Sequence, residues 1–294
     1  MSSLIPSTLR SLLPRFTQLQ AQAGIRLLYR LPGFTQRAVA CPVCGAAPDR
    51  VEFNTDFSPL DRCADCGHVY ARVTPGKLIL QLMYKDLDYW KQDKEHQGIT
   101  RIDHGPHWKA FIDARMNAML NCGAFDGAPK KIFELGCAEG MLLRELESLG
   151  HETLGCECNA PVAEAGMKAL RVKIRIGLFE DIALAHAYYD VVASFHTIEH
   201  IPDLDRTFTK IVDILKPDGL VLVEVPTGPE EYANRDHVQF FSNESLKRLL
   251  LKYFEIGETV SNQYLNAEGM QLGSLYGIGH RPKTGRSSRR STAA

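Results

Sequence analysis

Apolar positions fall into short runs that alternate with helical stretches. Lys131 to Glu134, Glu152 to Glu157, Val172 to Gly177, Tyr189 to Phe195 and Leu220 to Val225 read as strands. The unbroken apolar run at Tyr189 to Phe195 marks a buried parallel strand. Met141 to Leu149 has the helical pattern. Phe240 to Leu251 reads as a helix, with Ser242 as N-cap and Glu244 and Ser245 in its first turn. Phe254 to Val260 and Met270 to Ile278 supply two last strands, although Gly273 and Gly277 weaken the second. Strands alternating with helices predict an α/β, doubly wound, Rossmann-like sheet. The chain shows no internal repeat.

The sharpest local feature is Lys131-Ile132-Phe133-Glu134-Leu135-Gly136-Cys137-Ala138-Glu139-Gly140. A strand ends in an acid, and a glycine turn leads straight into a helix. Such a turn brings a ligand against bare backbone at a helix N-terminus. An ordinary strand-to-helix turn has the same look. A dinucleotide loop wants G-x-G-x-x-G. Here those positions are Gly136, Ala138 and Met141, so two of the three fail. The alternative is E-x-G-x-G-x-G, with Ala138 in place of the middle glycine, where alanine asks for a little more room.

The downstream order favours that alternative. The second strand ends at Glu157, 23 residues after Glu134. A carboxylate there can accept both protons of a ribose diol. Leu178-Phe179-Glu180-Asp181 bends away from the third strand, and Leu215-Lys216-Pro217-Asp218-Gly219 opens the fifth. Over residues 103–280 this order resembles the class I methyltransferases that use S-adenosylmethionine, which implies a seven-stranded sheet. The resemblance implies a cofactor site of Glu134, Gly136, Cys137, Ala138, Gly140, Glu157 and Phe195. Many relatives have an Asp where Leu178 stands, so the base contact moves to Phe179 backbone or Glu180.

Four cysteines stand as Cys41-Pro42-Val43-Cys44 and Cys63-Ala64-Asp65-Cys66, with eighteen residues between the pairs. Two C-x-x-C knuckles at this spacing predict a zinc ribbon holding structural Zn2+. Disulfides compete with that reading, but the chain otherwise has intracellular features. Cys66-Gly67-His68-Val69-Tyr70, followed by Tyr84 and Tyr89-Trp90, resembles bacterial methyltransferases with an N-terminal zinc ribbon that act on sugars, cell-surface glycans or secondary metabolites. His68 is expected on the ribbon surface. Tyr84, Tyr89 and Trp90 suit a lid or a seam between domains. Cys122, Cys137, Cys156 and Cys158 lack the C-x-x-C spacing, and Cys156 and Cys158 read as small buried filler.

Methyl transfer needs close alignment of donor and acceptor, and a base only where the acceptor must lose a proton. Candidate bases follow the fourth and fifth strands, at the edge where open α/β sheets bind ligands. His196 sits where the fourth strand meets the cofactor. His200 belongs to a Glu-His-Ile-Pro-Asp turn and reads as an architectural residue. Asp236 and His237 precede an aromatic pair, Phe240-Phe241. The acid neighbour supports the charged imidazole or orients it. That loop resembles zinc-ribbon sugar C-methyltransferases, in which an acid–His pair forms the base region. Catalysis is therefore expected at His237, Asp236 and His196, with a structural or substrate-positioning role the alternative for His237.

Composition fits a globular protein, with 45% apolar and 23% charged residues. Apolar runs stay below the roughly 18 residues of a membrane span, and no signal-peptide core is evident. Charge is uneven. Residues 1–40 carry five arginines and no acid, and residues 281–294 carry five bases and no acid. With 34 bases against 35 acids overall, the segment between them is left strongly acidic. The basic arm suits an anionic membrane surface, an organelle transit segment, a protein contact or a helix packed on the body.

The expected organisation is a basic arm (1–40), a zinc ribbon (41–74), a linker (75–102), a methyltransferase domain (103–280) and a disordered tail (281–294). The expected function is methyl transfer from S-adenosylmethionine to an oxygen or carbon of a small molecule or glycan, in the cytoplasm or at its membrane. Two rivals stand beside it. One is an RNA methyltransferase, against which the acidic body and the lack of a Lys/Arg stripe argue. The other is a non-catalytic scaffold that kept the fold.

Overall fold

A computed structural model describes residues 35–48, 50–54, 58–77, 80, 106–227, 237–265 and 271–281. Most of the N-terminal arm, the aromatic link with Tyr84, Tyr89 and Trp90, the proposed base-region residue Asp236, and the tail after Arg281 lie outside them.

The cysteine region is built on short antiparallel strands. β1 (Thr35–Arg37) pairs with β5 (Val73–Pro75). β2 (Arg50–Asn54), β3 (Pro59–Arg62) and β4 (Val69–Ala71) form a meander. A short strand from far down the chain, β11 (Gln239–Phe240), completes that sheet by pairing antiparallel with β4. The ribbon and the body therefore share main-chain hydrogen bonds.

The body opens with α1 (Pro106–Asn121), followed by β6 (Lys131–Leu135) and α2 (Met141–Ser148). Then come β7 (Glu152–Glu157), α3 (Ala160–Leu170), β8 (Ile174–Ile176), β9 (Tyr189–Phe195), α4 (Leu204–Ile214) and β10 (Leu215–Thr227). After β11 come α5 (Asn243–Tyr253), β12 (Ile256–Leu265) and β13 (Gln271–His280). The seven-stranded sheet has the order β12-β13-β10-β9-β6-β7-β8. β8, β7, β6, β9 and β10 run parallel, and β13 is antiparallel to both its neighbours. Strand order reverses between β6 and β9, which places a ligand crevice at their carboxyl ends.

Two-residue alternation sorts the sheet's side chains into two cores. Ile132, Val191, Leu220 and Leu222 face α1 and α2 with Met119, Leu142 and Leu146. Phe133, Val192, Val221 and Val223 face α4 and α5 with Phe208, Ile211, Leu246 and Leu250. Ribbon residues Cys41, Val43, Cys63 and Tyr70 join this second core. In α4 the buried positions Leu204, Thr207, Phe208, Ile211 and Ile214 make one helical stripe. Each large apolar side chain buried in this way contributes about 1.5–3 kcal/mol.

Several sequence expectations shift in register or extent. The helix expected from Phe240 begins at Asn243, because Gln239 and Phe240 are drawn into the ribbon sheet. Its N-cap is Ser242, whose hydroxyl accepts from Ser245 N while Ser245 Oγ accepts from Ser242 N. The fifth strand starts earlier, at Leu215, with an irregularity before Leu220. The last strand is ten residues long despite its glycines. At Gly277 an added Cβ would lie 2.9 Å from Leu250 Cδ1 and 3.0 Å from Leu246 Cδ2, so the missing side chain lets α5 pack on the sheet. His68 is not on the ribbon surface. It is fully buried, bonded to Gln239 Oε1 at 2.9 Å and 3.4 Å from Ser245 Oγ. The expectation failed because the body covers this face of the ribbon.

Candidate cofactor and acceptor site

The glycine turn after β6 sits at the switch point. Gly136 (φ +74°), Ala138 (φ +48°) and Gly140 (φ +79°) all adopt left-handed backbone. At Ala138 the demand is thus conformational rather than one of space, because a Cβ disfavours this region. A Cβ on Gly136 would sit 2.2 Å from Thr197 Oγ1, so the bare glycine lets the loop after β9 close over the turn. Thr197 Oγ1 in turn donates to Leu135 O and Phe195 O. Gly136 N and Cys137 N both donate to Cys156 O at 3.0 Å. The Cys137 thiol turns inward beneath Gly155, where a Cβ would meet its Sγ at 2.4 Å.

Two acids flank this turn. Glu134 is 2% exposed, and its buried Oε2 has no hydrogen-bond partner among the described residues. Burial pushes its pKa up to about 8, opposed by the Arg115 charge and reinforced by Glu157. Glu157 accepts from Ala138 N at 3.1 Å and from Asn159 N at 2.7 Å. Burial still raises its pKa, outweighing these bonds. An orphaned buried carboxylate oxygen beside left-handed, side-chain-poor backbone suits a cationic ligand with hydroxyls. The residues present therefore fit S-adenosylmethionine.

The expected adenine contacts are partly engaged within the fold. Phe179 is buried against Phe133, and its carbonyl accepts from Lys210 Nζ. The Glu180 carboxylate accepts from Thr207 Oγ1. Phe195 is buried at the end of β9 with the Arg115 guanidinium 4.9 Å from its ring centre.

Sequence reasoning missed three residues here. Arg115 reaches the site from α1, and its buried Nε has no hydrogen-bond partner among the described residues. A Cβ on Gly166 would meet Glu139 O at 2.0 Å, so this helical glycine lets α3 pack against the turn. A glycine inside a helical pattern was the available signal. Glu224 was hidden inside an apolar strand.

Just after β9, His196 has φ +50°, a strained conformation that the fold must hold. Its Nε2 lies 3.6 Å from Glu224 Oε2 and its Nδ1 3.7 Å from Glu199 Oε1. Burial acts to lower the His196 pKa, but the two carboxylates outweigh it and leave it raised. Burial acts to raise Glu224, yet His196 holds it down to about 2. Glu224 Oε1 also accepts from Ser274 Oγ at 2.9 Å. His237 is 8% exposed and packs edge-on against His200, ring centres 4.7 Å apart.

The four ribbon cysteines converge. Their sulfurs lie within 4.8 Å of one another, with Cys41–Cys66 at 3.6 Å and Cys44–Cys63 at 3.5 Å. All four are free thiols rather than disulfides. Gly45 N donates to Cys41 O and Gly67 N to Cys63 O, which closes each knuckle. A soft four-sulfur tetrahedral set of this size fits Zn2+.

A sheet of this order, with an acid and a glycine turn at its switch point, defines the class I methyltransferase fold. The chain matches the family described as a methyltransferase domain over residues 108–253, just under half of its length. It is 28% identical over 142 residues to a ubiquinone biosynthesis O-methyltransferase of Shewanella sp. (strain ANA-3), covering 46% of this chain and 57% of that protein. The corresponding Yersinia enterocolitica protein is 30% identical over 139 residues, covering 45% and 53%. The chain thus spans little more than half the length of these curated relatives. A SAM-dependent methyltransferase from Archaeoglobus fulgidus shares the fold, with a TM-score of 0.52 at 15% identity, covering 66% of this chain and 100% of that one.

Proposed function

We propose that the protein methylates a small molecule or glycan, at oxygen or carbon, using S-adenosylmethionine. The observation that carries this reading is the pair of buried acids around the glycine turn, with Glu134 Oε2 unsatisfied among the described residues. Glu134 would accept from the ligand's ammonium group and Glu157 from its ribose hydroxyls. Arg115 would hold the ligand's carboxylate. Gly136, Cys137, Ala138 and Gly140 would offer backbone, and the Phe179–Glu180 turn and Phe195 would bound the base and the methyl end. The bound cofactor supplies an electrophilic sulfonium methyl.

His196 and His237 line the acceptor side, with Asp236 beside His237 in sequence. His196 is suited to take a proton from an acceptor hydroxyl, because its carboxylate neighbours stabilise the imidazolium. The O-methyltransferase names of the relatives favour an oxygen acceptor. We assign Zn2+ to Cys41, Cys44, Cys63 and Cys66 as a closed, structural site.

Calorimetry with S-adenosylhomocysteine tests the reading. Glu157→Ala should weaken binding by about 1.5–3 kcal/mol, the scale of lost charged hydrogen bonds. If the wild-type chain binds none, the scaffold reading replaces this one.

A further inference from the structure

The loop after β9 and the segment before β11 bring three metal-binding side chains together outside the cofactor turn. One carboxylate oxygen of Glu199 and one ring nitrogen each of His200 and His237 lie within 4.8 Å of one another. Glu199 is 1% exposed and His237 8%, while His200 lies at the rim with its side chain 26% exposed. His200 Nε2 stands 3.9 Å from Glu199 Oε1.

The two segments are cross-linked by main chain, so the cluster is held rather than incidental. Val238 N donates to Glu199 O at 2.8 Å, and His200 N donates to Thr197 O at 3.0 Å. Gln239 Nε2 donates to Ile201 O at 3.0 Å. Behind Gln239 stands buried His68, so the ribbon braces the same segment.

Two imidazoles and one carboxylate form a mixed nitrogen–oxygen set. It suits borderline divalent ions and, unlike four thiolates, also admits Mn2+. Three protein ligands leave coordination positions open to a substrate. We propose that Glu199, His200 and His237 bind one divalent transition-metal ion whose open positions take oxygen atoms of the acceptor. The ion site stands on this geometry alone; its use in methyl transfer rests on the function proposed above. An acceptor with two adjacent oxygens is the chemical class that would chelate such an ion. Coordination lowers the pKa of the bound hydroxyl. As that O–H bond breaks, its proton passes to water and the electron pair stays on oxygen. His237 then acts as a ligand rather than as the base.

The test uses the full chain with its ribbon loaded with Zn2+ and excess metal removed. Mn2+ is titrated in, and the paramagnetic resonance signal of the free aqueous ion is followed. One Mn2+ should bind per chain, and metal analysis should show the ribbon zinc retained. Glu199→Gln, His237→Ala and His200→Ala should each weaken Mn2+ binding at least tenfold. His200→Ala, at the rim, puts the fold at least risk, and circular dichroism together with unchanged S-adenosylhomocysteine affinity identifies folded protein. The proposal is overturned if the wild type takes up no Mn2+, Co2+ or Zn2+ beyond the ribbon, or if folded variants bind Mn2+ as the wild type does. S-adenosylhomocysteine binding without the Mn2+ site would sink this inference and leave the methyltransferase reading intact. An Mn2+ site without S-adenosylhomocysteine binding would do the reverse.

Discussion

The two halves of the crevice are built differently. The half proposed to hold the cofactor comes mainly from neighbouring strand ends, Glu134 to Gly140 and Glu157, joined by backbone bonds such as Gly136 N and Cys137 N to Cys156 O. The half proposed to take the acceptor is assembled from three distant stretches: residues 196–200 after β9, residues 237–239 at β11, and the ribbon strand carrying Val69 and Tyr70. A half made from successive strand ends is fixed by the sheet itself. A half made from remote pieces depends on the joint between β4 and β11.

The largest effect should come from that joint. His68 bonds Gln239 and packs 4.9 Å from the Phe241 ring centre. Burial holds its pKa down to about 4, so near neutral pH it is an uncharged hydrogen-bonding partner. His68→Ala should cost about 3 kcal/mol of stability in urea unfolding, from a cavity and an unpaired buried amide. If the halves are independent, the folded variant keeps S-adenosylhomocysteine affinity within about twofold, since a few tenths of a kcal/mol is the usual reach of a distant site. A collapse of cofactor affinity would show that the ribbon supports both halves.

The next effect concerns the cofactor half and its protons. Glu134 has a pKa raised to about 8 in the folded chain, against an unperturbed value of 4.5. Between these values the folded chain holds a proton that the unfolded chain has lost. Stability contributed by this group therefore falls as pH rises through that window. A cationic ligand favours the carboxylate, so its binding should release close to one proton near pH 6.5. Affinity should then rise by up to tenfold, about 1.4 kcal/mol, per pH unit below the folded pKa. Calorimetry in buffers of different ionisation enthalpy reads the proton directly, and Glu134→Gln should abolish the release. Proton uptake, or none, would place the ammonium elsewhere.

The same contrast decides what the sequence could reveal. The glycine turn and its place at the strand ends were legible because its acid, glycines and partner Glu157 lie in one short stretch. The sheet was legible because apolar runs alternate with helical stripes. The joint was not, since nothing local says that Gln239 and Phe240 will pair with Tyr70 and Val69. That pairing delays α5 to Asn243 and buries His68. Arg115 was equally hidden, because a charge on an otherwise ordinary helix reads as a solvated face. The cluster of Glu199, His200 and His237 needed the folded chain, since it joins positions from two separate loops.

The smallest effect tests whether the cofactor half is strained by its own sequence. Ala138 adopts φ +48° where the motif has glycine, and its N–H still reaches Glu157 Oε2. An alanine in the left-handed region costs about 1–2 kcal/mol, partly offset by the greater freedom glycine has in the unfolded chain. Ala138→Gly should therefore stabilise the protein by about 0.5–1 kcal/mol. That amounts to a rise of roughly 1–4 °C in melting temperature for a chain of this size. Cofactor affinity should stay level or rise slightly, because the turn keeps the same backbone. A loss of stability would mean that the methyl group of Ala138 packs productively in the turn and outweighs its conformational cost.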